Sequence, residues 1–307
     1  MQREVPDFQK EQLKKIKKKT NSGRREFIKK ISLGIGAFFT AFLYLRFEAN
    51  WLEITRKKIL LPKLSNKTPI KLLHLSDLHF SNSVSLEDID FALREGFSLS
   101  PDACVITGDF ITDQKNDSEL EQLTLLLAKY AHLVPTFASL GNHDGGVWAG
   151  SHGGFMNTTK VESMLSKAGI KLLHNQRESI YLKGQSISIA GLGDLWSKDC
   201  HPDQCLTRTS PKSNSGTSIL LCHNPDAKEL LTPYKWDLML CGHTHGGQFK
   251  IPFLNWTPFA PVKDHSMVEG LHFWKNRQIH ITRGVGNLWG VRFNCRPEVS
   301  LLELSAG

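Results

Sequence analysis

The stretch IKLLHLSDLHF (residues 70–80) joins an apolar run to a polar motif, and the same arrangement returns twice along the chain, in ACVITGDF (103–110) and PTFASLGNHD (135–144). Helix-compatible stretches, at 85–97 and 118–131, separate the three runs. Strands that alternate with helices predict a β-α-β-α-β unit and therefore a parallel sheet.

A polar motif follows each predicted strand at the point where the strand ends. Because ligands of such sheets bind outside the carboxyl ends of the strands, we expect these side chains to meet at one rim. Two later strands end in the same way. The candidate metal ligands are Asp77, His79, Asp109, Asn142, His223, His243 and His245. Glycines precede three of the motifs, and we expect Gly108, Gly141 and Gly242 to permit sharp turns there.

The second half of the chain is richer in strands. This pattern predicts an α/β fold in which two packed mixed β-sheets are flanked by helices, over residues 70–307. The strand-like runs are 170–174, 178–183, 186–191, 217–222, 236–241, 278–283 and 298–304.

The order Asp-x-His, Gly-Asp, Gly-Asn-His-Asp, His, Gly-His-x-His resembles the calcineurin-like metallophosphoesterase superfamily, over about residues 70–305. The resemblance implies two divalent ions, with manganese as first choice and iron or zinc as alternatives that suit the same donors. It implies one ion on Asp77, His79, Asp109 and His245, and a second on Asp109, Asn142, His223 and His243. It also implies that His143 is catalytic and that Asp144 orients it.

Two arginines in the last third are candidates for phosphate binding. Arg283 lies in TRGVG and Arg292 in WGVRF, both among glycines. Arginine binds phosphate oxygens well. The alternative for both is a structural arginine at the surface or at the edge of the core.

The N-terminal residues carry most of the net charge of +8. Residues 1–30 contain eleven Lys or Arg and four Asp or Glu, and the other residues are close to neutral. Such a basic tail favours a membrane surface, with a solvated tail as the alternative and no nucleic acid expected. The uncharged run 31–45 follows; as a helix it is roughly 22 Å long, short of a membrane span.

We therefore predict a membrane anchor or signal-like segment over 31–58, with Phe47, Trp51 and Ile54 continuing the helix, and a linker over 59–69. Arg24 and Arg25 resemble the twin-arginine export pattern, and no cleavage site follows. The export pattern and the Lys/Arg bias favour an exported body, whereas a cytoplasmic substrate requires the body inside. We leave the side of the bacterial inner membrane open.

Within the superfamily, the basic tail, the apolar segment, GHTHGGQ (242–248) and TRGVG (282–286) resemble a membrane-associated branch of YkuE-, YaeI- and LpxG-type proteins. That resemblance implies hydrolysis of UDP-2,3-diacylglucosamine to UMP and 2,3-diacylglucosamine 1-phosphate in lipid A synthesis. The apolar loops 145–156 and 251–262 are candidates to receive acyl chains or to pack on the body. The alternatives are an exported phosphodiesterase or phosphatase of broad specificity and a non-catalytic metal-stabilised binding module.

Three smaller features complete the expectations. Trp196 and the polar run 197–216 form either a lid or mobile surface. Cys200 and Cys205 lie in a polar loop, where they form a disulfide, bind metal or stay unpaired, and the last is favoured. The remaining cysteines do not suggest a disulfide framework.

Overall fold

A computed structural model describes residues 7–65, 68–208, 216–254 and 256–307. The chain divides into two compact units, and the boundary between them lies between Arg46 and Phe47. The first unit consists of most of helix α1, which runs from Asp7 to Ala49. The second unit is the body.

The body contains twelve strands and four α-helices among its described residues. The strands are β1 (Glu53–Leu60), β2 (Ile70–Leu75), β3 (Ala103–Thr107), β4 (Thr136–Ser139), β5 (Lys171–Leu172), β6 (Gln176–Leu182), β7 (Gln185–Gly191), β8 (Thr217–Leu221), β9 (Leu238–Cys241), β10 (Gly270–Trp274), β11 (Arg277–Ile281) and β12 (Glu298–Ser305). The helices are α2 (Leu86–Phe97), α3 (Asp117–Ala131), α4 (Val147–Ser151) and α5 (Thr159–Lys167).

The strands form two six-stranded mixed sheets, with orders β1-β12-β2-β3-β4-β5 and β10-β11-β9-β8-β7-β6. Parallel pairing joins β2 to β3 and β3 to β4 in the first sheet, and β7 to β8 and β8 to β9 in the second. The predicted α/β architecture of two packed mixed sheets with flanking helices is confirmed.

Apolar side chains from both sheets meet in one core between them, among them Leu72, Val105, Ile219 and Leu240. A second cluster forms where α2, α3 and α5 pack on the outer face of the first sheet. Because β2 and β3 are covered on both faces, they are almost entirely buried, as expected for continuous apolar runs in parallel sheets.

The two predicted helices start at capping boxes that the sequence contains. Ser85 and Asp88 exchange hydrogen bonds with each other's backbone at the start of α2, and Asn116 and Glu119 do so at the start of α3. Reciprocal caps satisfy backbone N–H groups that have no partner inside the helix. They set where the helices begin after the strand-end loops.

The structure differs from the prediction where the predicted anchor (31–58) meets the predicted linker (59–69), because a strand lies there. Helix α1 ends at Ala49, and β1 pairs in parallel with β12 along its full length. Ile59 and Leu61 are buried in the core between the sheets. The charged side chains of β1 hide this strand in the sequence, because an edge strand needs few apolar residues and charges protect its open edge. The body therefore begins well before residue 70.

The predicted apolar segment lies inside α1. Residues Arg24–Ala49 form a helix that by length and composition alone is long and apolar enough to cross a membrane. At 1.5 Å per residue it spans roughly 39 Å, more than the apolar run alone. A signal sequence has the same properties, so a retained anchor stays a prediction.

Candidate metal centre

The candidate ligands follow five strands whose carboxyl ends face one rim. Adjacent parallel strands β2, β3 and β4 supply them from the first sheet, and adjacent parallel strands β8 and β9 from the second. All seven predicted ligands are buried: Asp77, His79, Asp109, Asn142, His223, His243 and His245.

The first group of donors comprises Asp77, His79 and His245. The Nε2 atoms of the two histidines are 3.1 Å apart, and each lies within 3.9 Å of Asp77 Oδ1. The Nδ1 atom of His79 hydrogen-bonds the Thr112 hydroxyl, so the ring is oriented with Nε2 toward the group.

The second group comprises Asp109, His223 and His243. Asp109 Oδ2 lies 3.1 Å from His223 Nε2, and His243 Nδ1 lies 3.3 Å from the same nitrogen. His223 Nδ1 donates to the carbonyl of Thr107, which directs Nε2 inward. Asp109 Oδ2 is also 3.4 Å from His79 Nε2, so its carboxylate lies between the two groups.

Asn142 provides a test of whether this set suits a cation. Its Oδ1 is buried and has no hydrogen-bond partner in the structure. An unpaired buried amide oxygen is costly unless something binds it. Carboxylate oxygens, imidazole nitrogens and an amide oxygen together suit manganese, iron or zinc. The residues present therefore fit divalent cations.

The backbone at the rim is strained in a way that the sequence does not reveal. Five of the seven candidate ligands have positive φ angles of 50–70° although none is glycine. Residues with side chains rarely adopt this conformation, and it persists where the surrounding structure enforces it, often at functional sites. The five are Asp77, His79, Asp109, His243 and His245.

At two of the three predicted glycines, the lack of a side chain matters more than the backbone conformation. Only Gly108 has a positive φ, of 91°. A Cβ on Gly141 would lie 2.2 Å from Asp109 Oδ1, and one on Gly242 would lie 2.2 Å from Asp77 Oδ2. Glycine is required at these two positions because a carboxylate packs directly against the backbone.

The electrostatics of the centre depend on burial and on close pairs. Burial raises the pKa of Asp77 to about 6 and lowers the pKa of His79 and His243 to about 3. Burial alone would also lower the pKa of His223, but the carboxylates of Asp109, Asp77 and Asp194 together outweigh burial and raise this pKa to about 10. Without a cation, His223 therefore carries a proton that a bound cation would replace.

His143 lies at the half-buried edge of the centre. Its Nδ1 donates to the Thr112 carbonyl at 2.7 Å, and its ring meets that of His79 edge to face. Its backbone N–H donates to Asp109 Oδ1. Because Nδ1 is occupied, Nε2 is the nitrogen available to a reacting group.

Asp144 does not orient His143, contrary to the role that the resemblance implies. Its buried carboxylate accepts the backbone N–H groups of Asp109, Phe110 and Gly141 at 2.7–2.8 Å. Asp144 therefore holds the loops after β3 and β4 together, and the Thr112 carbonyl is the group that orients His143.

Comparison with known proteins identifies the family. Residues 70–247 match the sequence model of the family described as calcineurin-like phosphoesterase. The chain belongs to this family. The phosphoesterase is 38% identical to "Phosphodiesterase YaeI" of Escherichia coli over 92% of this chain and 98% of that protein. It is 30% identical to "Uncharacterized metallophosphoesterase YkuE" of Bacillus subtilis, with the same coverage of both.

A third relative is the "UDP-2,3-diacylglucosamine pyrophosphatase LpxG" of Chlamydia trachomatis. It is 28% identical over 89% of this chain and 98% of that protein. The membership confirms the predicted superfamily and a hydrolase of phosphoester bonds.

The two arginines predicted to bind phosphate are engaged elsewhere in the phosphoesterase. The Arg283 guanidinium lies within 3.5 Å of carboxylate oxygens of Glu53, Glu269 and Glu298. Arg292 is fully buried and donates to backbone carbonyls, including that of His245 at 3.2 Å. Neither guanidinium is free for phosphate: Arg283 is held by carboxylates at the edge of the core, and Arg292 lies inside it.

Two tryptophans cover the rim, and we did not predict that they act together. Trp148 on α4 meets His143 edge to face with ring centres 4.8 Å apart, and Trp196 meets His243 in the same way at 4.3 Å. The indoles are 5.5 Å apart and form a partial roof. Of the polar run after Trp196, residues 209–215 lie outside the described part of the chain.

Asp194 is a buried carboxyl group that sequence reasoning missed. It follows β7 in a Gly-Asp pair, the same signal that identified Asp109. Burial raises its pKa, while the His223 charge acts in the opposite direction. Its Oδ1 has no partner.

Cys200 and Cys205 are free thiols in the structure, as we favoured. Burial raises their pKa to about 12 and about 11, so both stay protonated and poorly reactive near neutral pH.

Proposed function

We propose that this phosphoesterase holds two divalent metal ions and hydrolyses the pyrophosphate of UDP-2,3-diacylglucosamine to UMP and 2,3-diacylglucosamine 1-phosphate. The supporting observation is the pair of donor groups that share the neighbourhood of Asp109, with His143 at their edge. Asp77, His79, Asp109 and His245 would hold one ion, and Asp109, Asn142, His223 and His243 the other. The metal's identity is proposed as manganese, with iron or zinc as alternatives.

The ions, when bound, lower the pKa of a water and neutralise charge on the phosphoryl oxygens. The chain's own residues supply position and protons. His143 offers Nε2 to the leaving oxygen, because the Thr112 carbonyl holds its Nδ1 proton at 2.7 Å. Asp144 joins the loops after β3 and β4 by accepting hydrogen bonds from both, and the His143 backbone N–H donates to Asp109. These contacts fix the positions of Asp109 and His143 relative to each other.

Three observations support a lipid-linked substrate at a membrane. The LpxG relative acts, by its name, on UDP-2,3-diacylglucosamine. A helix near the N-terminus has the length and composition of a membrane span. The predicted loop 251–262 exposes large apolar side chains, such as Phe253 and Trp256.

The test is release of UMP by purified, manganese-loaded, full-length protein in detergent micelles containing UDP-2,3-diacylglucosamine. His143→Ala should lose about 100-fold or more in kcat, since general acid catalysis contributes at least this much, and should keep its full metal content. His132→Ala, at an exposed histidine at the end of α3, is the matched control and should behave as wild type. Wild-type turnover by His143→Ala would refute the mechanism.

A second candidate is an exported phosphodiesterase of broad specificity. The 38% identity to Phosphodiesterase YaeI over nearly the whole chain favours it. A soluble chromogenic phosphodiester separates the two candidates. A kcat/KM for this compound equal to or above that for the lipid would favour the second. Metal binding without turnover of either substrate would indicate the non-catalytic module.

The side of the membrane is tested in intact spheroplasts. Protease added outside should leave a cytoplasmic body uncut and digest an exported one. Digestion from outside would contradict the proposed lipid A substrate, because a UDP-linked sugar is made inside the cell.

A further inference from the structure

The described residues 251–254 and 256–259, here called the apolar turn, carry large apolar side chains that are mostly exposed, although the Phe259 ring touches that of Phe249. Phe253 is fully exposed, and the exposed fractions are 71% for Leu254, 57% for Trp256 and 62% for Phe259. Scattered exposed apolar residues are ordinary on protein surfaces. Four within one turn form a local apolar patch, and exposed apolar patches occur at sites where proteins contact partners or membranes.

The base of the apolar turn is firmly attached. The Ile251 backbone N–H donates to the Trp256 carbonyl at 2.8 Å, and Thr257 is buried against Gly247. The Lys250 side chain is paired with Glu269 at 2.6 Å. The exposed side chains are therefore held outward at the tip of a fastened turn.

A further exposed aromatic lies beside this base. Trp289 is 60% exposed, and its neighbour Leu288 donates its backbone N–H to the Gln248 side chain. The Lys250 backbone N–H donates to the Phe293 carbonyl at 2.9 Å. The segment 288–293 and the apolar turn thus belong to one continuous part of the surface.

The same segment continues to the start of the body. The Cys295 backbone N–H donates to the Glu48 carboxylate at 2.6 Å, and the Arg296 guanidinium lies over the Trp51 ring at 4.5 Å. Phe47 and Trp51 are themselves exposed and in ring contact. The first residues of the body, from Phe47 to Trp51, and the base of the apolar turn are therefore linked through residues 293–296.

We propose that the apolar turn inserts its tip into the lipid bilayer and is a second membrane contact, made by the body itself. Aromatic side chains favour the interface between water and hydrocarbon, and exposed apolar side chains gain free energy by leaving water for it. A retained span would bring a membrane to the start of the body through chain connectivity alone, because the body begins at Phe47. The inference does not depend on the substrate proposed above.

This contact has a consequence for the metal centre. The apolar turn begins six residues after His245, and between them the Gln248 backbone N–H donates to the His245 carbonyl at 3.0 Å. Insertion of the tip would hold the rim of the centre at the membrane surface, where an amphiphilic substrate resides.

Full-length protein in vesicles of phosphatidylcholine and phosphatidylglycerol tests the proposal, with brominated acyl chains in the phosphatidylcholine as quenchers of tryptophan fluorescence. Trp256→Phe should remove emission that the bromine quenches. Trp274→Phe, at the far end of β10 from the turn, should remove emission that it does not quench.

The paired variant Phe253→Asp with Leu254→Asp should lower the quenching of Trp256 by about twofold or more, since charged side chains do not enter hydrocarbon. Tyr181→Asp is the matched control, because Tyr181 is 78% exposed on β6 at the opposite edge of the second sheet from β10. Circular dichroism checks that each variant is folded.

Trp256 emission that is unaffected by bromine would overturn the proposal. So would a paired variant that turns a dimer into a monomer in detergent while quenching stays at the wild-type level, because the apolar turn would then be a contact between copies of the chain.

Discussion

Replacement of Gly242 by alanine tests whether metal binding requires the Asp77 carboxylate to pack directly against the backbone at the end of β9. The added Cβ would lie 1.9 Å from Ser76 Oγ and 2.2 Å from Asp77 Oδ2. Ordinary contact begins at 3.4 Å, so the Asp77 carboxylate must move by about 1.2 Å. Gly242 does not have a positive φ, so the effect is one of space alone.

The expected effect on metal binding follows from the tolerance of coordination. Ligand distances in metal sites hold to about 0.2 Å, far less than the required shift. We therefore expect Gly242→Ala to lose the ion at Asp77 or to bind it about tenfold more weakly or worse. Overpacking should also lower the free energy of unfolding by about 1–3 kcal/mol.

The assay is metal content by plasma mass spectrometry after dialysis, with calorimetric titration of the metal-free protein. Gly216→Ala is the matched control, because its nearest contact would be an ordinary 3.5 Å from the Ser186 carbonyl. It should bind metal as wild type does. A Gly242→Ala protein with wild-type metal content and affinity would refute the assignment of Asp77 as a ligand.

Two further predictions concern the metal-free protein. Asp144→Asn should lower the free energy of unfolding by about 1–3 kcal/mol in urea titrations, because the amide N–H₂ would face a buried backbone donor such as that of Phe110. The control Asp117→Asn, at an exposed carboxylate, should change the free energy of unfolding little. Equal effects of the two substitutions would contradict the role of Asp144. Thermal unfolding should show greatest stability near pH 6.5–7. Above this range the folded state loses the favourable pairing of protonated His223 with Asp109, because the pKa of His223 is raised to about 10 and its proton leaves as the pH rises. Below this range stability falls, because buried histidines such as His79, whose pKa is lowered to about 3, take up a proton more readily in the unfolded state. A stability that rises steadily from pH 7 to 10 would contradict this assignment.

The sequence carried most of the information about the sheets. Apolar runs bounded by Gly and polar motifs located β2, β3, β4, β8 and β9, because strands buried on both faces must be apolar throughout. The edge strand β1 was missed, since three consecutive charged residues, Arg56, Lys57 and Lys58, interrupt any apolar run along it. The short strand β10 was missed as well, because it is only partly buried.

The types of the candidate ligands were also readable from the sequence, because divalent cations accept few kinds of donor. The hydrogen bonds that backbone groups make to the side chains of the centre could not be predicted from the sequence. The carbonyl of Thr112 orients His143, and the Asp144 carboxylate binds three backbone N–H groups. Carbonyl and N–H groups are present in every residue, so their use leaves no trace in the residue types.

The sequence by itself determined that five strand ends carry side chains of the types that bind metals, and that a basic N-terminal segment is followed by an apolar one. Only the tertiary structure decided which sides of two sheets meet, that Arg283 and Arg292 are engaged by carboxylates and carbonyls, and that the tip of the apolar turn faces outward. The physical reason is that composition and spacing act locally along the chain. Contacts between residues far apart in sequence depend on packing, which many different side chains satisfy equally well.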